Sequence, residues 1–160
     1  MEVHCILVLV LSMFLVMNNT AGNHGGAILT SGALTPSDPS CLNISNEISF
    51  IDNSAQRDGG ALYISECTLV MSGKVSFNRN TAEEGGAIIS DISSDFNSVK
   101  LVGPLQAKFI ENHATLTGGA MNFQQPQQFG RRVHCSSEST QRCPIGLSSE
   151  TDVNFEFINN

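Results

Sequence analysis

The sequence predicts an all-β fold, a right-handed parallel β-helix of roughly four to five coils, incomplete at both ends. Three observations carry this reading. A motif of F-x-x-N-x-A, a short variable stretch and then G-G-A plus an aliphatic residue recurs from Phe50, from Phe77 and from Phe109. Upstream of each Phe the residues alternate, as in Ile48-Ser49-Phe50, Val75-Ser76-Phe77, Ala107-Lys108-Phe109 and Phe155-Glu156-Phe157; period two marks strands with one buried face. No apolar stripe at helical spacing runs through the repeats. Three short strands per unit cannot bury a face alone, but stacked units can.

In chain order, residues 1–22 read as a secretory signal that overlaps the first repeat. Cys5 to Met17 contains only Ser12 as a polar residue, too short for a membrane span of about 20 apolar residues. Thr20, Ala21 and Gly22 follow as small residues fit for cleavage. The alternative is an internal buried strand. A degenerate copy of the motif overlaps this segment, since Asn19 to Ile28 matches Asn80 to Ile88 with one extra residue and Val16 stands for the Phe.

Residues 23–121 hold the repeats, 122–152 an insertion, and 153–160 the start of a further repeat whose motif positions are Phe157 and Asn160. Each motif position has a physical task. The Phe side chains stack as an interior column. Asn53, Asn80 and Asn112 are expected to take the left-handed backbone of a corner and to share amide hydrogen bonds along the axis. The pairs Gly59/Gly60, Gly85/Gly86 and Gly118/Gly119 permit positive φ at a second corner, and the Ala after them fits a tight bend.

Cysteine positions follow the same register. Cys41 precedes Phe50 by nine residues and Cys67 precedes Phe77 by ten. Coils about 4.8 Å apart suit the roughly 4.4–6.8 Å between Cα atoms of a disulfide, so a Cys41–Cys67 bridge is expected, and Cys135–Cys143 would close a small loop. Asn43-Ile44-Ser45 is an acceptor triplet for a glycan if the source is a eukaryote. The 122–152 insertion contains the Gln-rich run at Gln124, the pair Arg131-Arg132 and both cysteines of the small loop. It reads either as a recognition loop or as a tolerated excursion of the solenoid.

Several function classes fall away. With 15 acidic against 8 basic residues and a net charge of −7, nucleic acid is not an expected partner, because that affinity comes from Lys and Arg on phosphates. Catalysis on a β-helix needs carboxylates converging on one groove. Here the residue before Gly-Gly is His24, Asp58, Glu84 and Thr117 in successive units, so no ladder of like ligands forms, and Ala after each Gly-Gly excludes the calcium nonapeptide. His24 and His113 fall in variable turns and are expected in solvent. No catalytic set, metal site or small-molecule cofactor is expected.

The pairing of F-x-x-N-x-A with G-G-A-[ILM] resembles the repeats of the chlamydial polymorphic outer membrane proteins, over residues 16 to 160 apart from the insertion. The resemblance implies a parallel β-helix displayed at the cell surface, or on the outer membrane of a bacterium, and used in adhesion to host cells. Members of that family export the repeats through a C-terminal barrel, to which no segment of this sequence corresponds, so the chain reads as a fragment or as a secreted relative. The functional expectation is a non-enzymatic, adhesin-like binding module for a host-cell or matrix surface component, protein or glycan. A structural spacer, or a polysaccharide-active enzyme, is the alternative.

Overall fold

The computed structural model describes residues 7–9, 14–31, 40–65, 68–91, 99–124, 145–147 and 153–160. Every regular element among them is a strand, and the strands pair in parallel. Coil one holds β1 (Leu7–Leu9), β2 (Phe14–Met17), β3 (Thr20–Ala21) and β4 (Ile28–Ser31). Coil two holds β5 (Ser40–Ile44), β6 (Glu47–Ile51), β7 (Ser54–Ala55) and β8 (Leu62–Ser65). In coil three, β9 (Thr68–Asn78) replaces the first two strands and is followed by β10 (Thr81–Glu84) and β11 (Ile88–Asp91). Coil four repeats that plan with β12 (Val99–Ile110), β13 (His113–Thr117) and β14 (Met121–Gln124); β15 (Ile145–Leu147) and β16 (Val153–Ile158) belong to coil five.

Like strands of successive coils make three sheets. One joins β1, β5, β9, β12 and β15 with β2, β6 and β16; the second is β3-β7-β10-β13, and the third β4-β8-β11-β14. The parallel β-helix expected from the repeats is therefore the fold. Phe14–Ala21, which fell within the signal reading, supplies strands of coil one in register with coil two. Within the stretch read as an insertion, β14 completes coil four and Ile145–Leu147 pairs with Val99–Leu101.

Register puts Val16, Phe50, Phe77, Phe109 and Phe157 over one another. The rings of the last four stack at centroid distances of 5.0, 5.0 and 5.1 Å with planes within 13° of parallel. That spacing follows from the coil repeat, since strands about 4.8 Å apart carry identical side chains in identical rotamers. Around the column pack Ile48, Val75 and Ala107 on one side and Leu62, Ile64 and Ile88 on the other, all buried. Where Ala107 is small, Phe155 of coil five lies 6.3 Å from Phe109 and fills the space.

The first corner differs from the sequence expectation. The left-handed residues are Asn18, Asp52, Arg79, Glu111 and Asn159, each one place before the motif Asn and not the motif Asn itself. The physical reason is direction: the left-handed residue points out to solvent and tolerates many side chains, whereas the next residue points inward.

At the second corner, Gly25, Gly59, Gly85 and Gly118 take positive φ. The positive φ expected of each pair falls on its first glycine, and Gly60, Gly86 and Gly119 are not left-handed. The second glycine answers a different need, the close approach of one coil's backbone to the next. A Cβ on Gly60 would lie 2.0 Å from the carbonyl oxygen of Gly86, and a Cβ on Gly86 would lie 2.0 Å from that of Gly119. One left-handed residue completes the turn, and the residue after it must simply have no side chain.

One buried group is out of keeping with this core. Ser90 lies in the column between Ile64 and Phe123, is 1 % exposed, and its hydroxyl has no hydrogen-bond partner. A buried unpaired hydroxyl costs about 1–3 kcal/mol. Ser90→Ala should therefore stabilise the solenoid by about 1 kcal/mol, read as a higher urea midpoint at unchanged slope; a lower midpoint would show that the hydroxyl is satisfied in solution.

Candidate functional site

The motif residues assemble into a spine of side-chain amides. Asn19 Nδ2 donates to Asn53 Oδ1 at 2.9 Å, Asn53 Nδ2 to Asn80 Oδ1 at 3.0 Å, Asn80 Nδ2 to Asn112 Oδ1 at 2.9 Å and Asn112 Nδ2 to Asn160 Oδ1 at 2.9 Å. The second amide hydrogen runs back to the preceding coil, from Asn53 to Val16 O, from Asn80 to Phe50 O, from Asn112 to Phe77 O and from Asn160 to Phe109 O. Each Oδ1 also accepts the backbone N–H of the previous ladder residue, at 3.0–3.1 Å. A side-chain amide offers two donor hydrogens and two acceptor lone pairs, and Asn53, Asn80 and Asn112 use all four. This satisfaction is what lets them sit at 0–1 % exposure. The spine holds coils together and presents no group to a ligand.

The outer surface carries the titratable side chains. His24, Asp58, Glu84 and Thr117 occupy equivalent places in successive coils. His24 Nδ1 lies 2.7 Å from Asp58 Oδ2, a close contact without hydrogen-bond alignment, and its ring packs 4.6 Å from Tyr63. The expectation of a solvated His24 is thus corrected: its side chain keeps 23 % exposure because the carboxylate and phenol of coil two cover it. The pairing was visible as His and Asp sharing the place before Gly-Gly. A row of like ligands is what a metal or catalytic ladder would need, whereas this row pairs unlike residues. His113 is exposed, as expected.

Tyr63 donates a long hydrogen bond to Asp91 Oδ2 at 3.4 Å. Burial, followed by the charges of Asp91 and Asp58, holds the Tyr63 phenol above its usual pKa, so it stays protonated at neutral pH. Glu84 Oε2 and Thr117 Oγ1 both accept from Asn122 Nδ2 at 3.0 Å. These carboxylates are engaged in coil-to-coil contacts. Among the described residues no three His, Cys, Asp or Glu side chains gather as a metal site.

At the first corner, Arg79 Nε and a terminal nitrogen grip both oxygens of Asp52 at 2.8 Å. The hydrogen bond from Arg79 pulls the Asp52 carboxyl below its ordinary pKa, with the Arg79 charge adding to it. The sign follows: the pair's contribution is fully present above the unfolded carboxyl pKa, about 3.9, and is lost as pH falls through the lower folded value. Asp52→Asn should remove a small acid-side component of stability, seen as a mutant-minus-parent Tm difference that shrinks between pH 5 and pH 2. A difference independent of pH would contradict the assignment. Both groups are exposed, so solvent screening keeps the effect small.

Asn43 sits half-buried in the middle of β5, between β1 and β9, and not on a loop. The side chain of Cys41 and the residues Cys67, Cys135 and Cys143 lie outside the described residues, and with them both expected bridges. The stretches joining the third sheet to the first are 32–39, 66–67, 92–98 and 125–144. They differ tenfold in length, yet all connect the same two sheets. By contrast, ladder Asn to left-handed Gly spans 19–25, 53–59, 80–85 and 112–118, almost constant. Nearly all variation in repeat length belongs to one corner.

An amide spine, a stacked aromatic column and glycine corners repeated coil by coil define a solenoid repeat protein of the parallel β-helix class. Comparison with known proteins shows what the repeats are similar to. Residues 14–31 and 47–65 match the model of the Chlamydia polymorphic membrane protein repeat. The chain is also 37% identical over 108 residues to the probable outer membrane protein pmp6 of Chlamydia pneumoniae. That match covers 65% of this chain and 8% of the relative's length. No solved structure matches. The matches support a cell-surface, outer-membrane setting for the chain.

Proposed function

We propose that this chain is a non-enzymatic surface module that acts by binding, in the manner of an adhesin, and that its contact surface is the variable corner. The observation that supports this is the confinement of length variation to the joins between the third and first sheets, while the other corners hold a nearly fixed count. Solenoids present insertions on one face, and that face is commonly the one that binds. The longest join, 125–144, brings Arg131, Arg132 and Arg142 to a chain of net charge −7, so it differs in charge as well as length from the coils it leaves. Export through a leader within residues 1–22, and bridges Cys41–Cys67 and Cys135–Cys143 in an oxidising compartment, belong to the same reading.

The test is saturable binding of purified chain to host cells or a matrix component. Replacing 125–144 by a two-residue join, the length found at 66–67, should weaken it at least tenfold while the circular dichroism stays that of a β-helix. Absence of saturable binding by the parent chain would favour a spacer, and release of unsaturated uronic acid from a polysaccharide would favour an enzyme.

A further inference from the structure

We propose that residues 14–22 stay in the exported protein as working strands of coil one, so that any leader is cut upstream of Phe14 and not at the small residues Thr20, Ala21 and Gly22. This rests on the export reading above and moves the cut. Two sequence signals read as the tail of a leader, an apolar run and the small triplet after it, and coil one accounts for both. Thr20 and Ala21 form β3 and lie over Ser54 and Ala55 of β7. The same place holds Thr81-Ala82 in coil three and His113-Ala114 in coil four. The small residue is therefore the Ala of the N-x-A motif, which recurs in each of these coils. Phe14 to Met17 reads as an apolar run because both faces of β2 are apolar. Phe14 and Val16 turn inward beside Ile48 and Phe50, and Leu15 and Met17 turn outward.

A cut at residues 20–22 would dismantle the junction between coils one and two. Asn53 is fully buried; its Oδ1 accepts both the backbone N–H and Nδ2 of Asn19, and its Nδ2 donates to Val16 O at 3.1 Å. Asn18 N donates to Ile51 O, while Asn19 O and Ala21 O accept from Ser54 N and Gln56 N. Ile48 and Phe50, both buried, would lose the side chains laid against them. What remained of coil one would be a fragment of a turn. Gly25, Gly26 and Ala27 would still donate to the oxygens of Asp58, Gly59 and Ala61, and β4 would still pair with β8. The fragment would supply no strand to the other two sheets. The stability of a solenoid is approximately a sum of coil and junction contributions, so this cut gives up one junction and wets the apolar side chains it covered. None of these contacts involves a residue before Phe14.

Amide exchange in the purified full chain is the first test. The N–H groups of Asn18, Asn19, Ser54 and Gln56 are expected to exchange at least about tenfold more slowly than unstructured amides. Val16→Asp sets a carboxylate against Phe50 and should speed exchange at Ser54 and Gln56 at least about tenfold. Leu15→Asp, on the exposed side of the same strand, should leave both unchanged. A chain that unfolds with Val16→Asp but not with Leu15→Asp supports the proposal equally. Unprotected Asn18 and Asn19, or equal responses to the two substitutions, would overturn it. The second test is the N-terminus of chain recovered from the surface of cells producing it, read by Edman sequencing and intact mass. A first residue at or before Phe14 is expected, and one at Ala21, Gly22 or Asn23 would overturn the proposal. Exchange needs neither export nor a host-cell or matrix component, so it fails only if coil one is not folded, and failure of export or adhesion is told apart from it.

Discussion

Asn80→Ala is expected to destabilise the solenoid by about 3–6 kcal/mol, since it strands several buried groups at about 1–3 kcal/mol each. The stranded groups are the backbone N–H and Nδ2 of Asn53, which lose their shared acceptor, and the oxygen of Phe50, which loses its donor. Asn112 Oδ1 keeps the backbone N–H of residue 80 and loses only the amide. Against a whole-domain stability of about 5–15 kcal/mol, this removes a large share. Urea unfolding followed by circular dichroism measures it. Asn19→Ala is the control, because Asn19 is exposed at the far end of the spine and water replaces its partners. Equal losses at the two positions would refute a buried ladder. Asn80→Asp should be worse still at neutral pH. A carboxylate has nothing to donate to Asn112 Oδ1 or Phe50 O, and it faces both oxygens. Because the folded state disfavours the ion, the pKa at residue 80 rises in that variant, so its stability is best retained in acid and declines as pH rises through that value.

Gly86→Ala is expected to cost at least about 4 kcal/mol, at the exceptional end for a single substitution. The added Cβ would lie 2.0 Å from Gly119 O and 2.7 Å from the carbonyl of His113. Those are backbone atoms of the next coil, so no rotamer change relieves the contact. The two coils must part, breaking the bonds from Gly86 N to Gly118 O and from Ala87 N to Ala120 O. Amide exchange would show where: protection should fall across β11 and β14 and persist between β6 and β9. A variant as stable as the parent would mean that the coils are not this close in solution. Gly22→Ala gives the contrast, because no atom lies within 4 Å of its Cβ.

The repeat was legible in the sequence because a solenoid asks the same of equivalent positions in every coil. A buried ring column demands Phe at one place, an inward amide demands Asn three residues later, and a close backbone approach demands Gly-Gly; these recur as letters. The division of labour at the corners was not legible. Asp52, Arg79 and Glu111 share a left-handed backbone and no side-chain chemistry, so nothing in their identities marks the turn. Gly59 and Gly60 are the same letter for two different reasons, a left-handed φ at the first and a neighbouring carbonyl at the second. The His24–Asp58 contact was half visible, since both residues precede Gly-Gly, but contact between unlike side chains depends on Tyr63 standing over them.

By itself the sequence determined that the chain is a stack of parallel coils with a Phe column, an Asn row and glycine corners, because periodic burial leaves a periodic signature. Only the tertiary structure decided the direction of the amide spine, the residue that turns each corner, the carboxylates already tied to neighbouring coils, and the single corner that absorbs the variation in length. Those depend on which atoms meet across about 4.8 Å between successive coils, and contact across that gap joins residues some thirty positions apart.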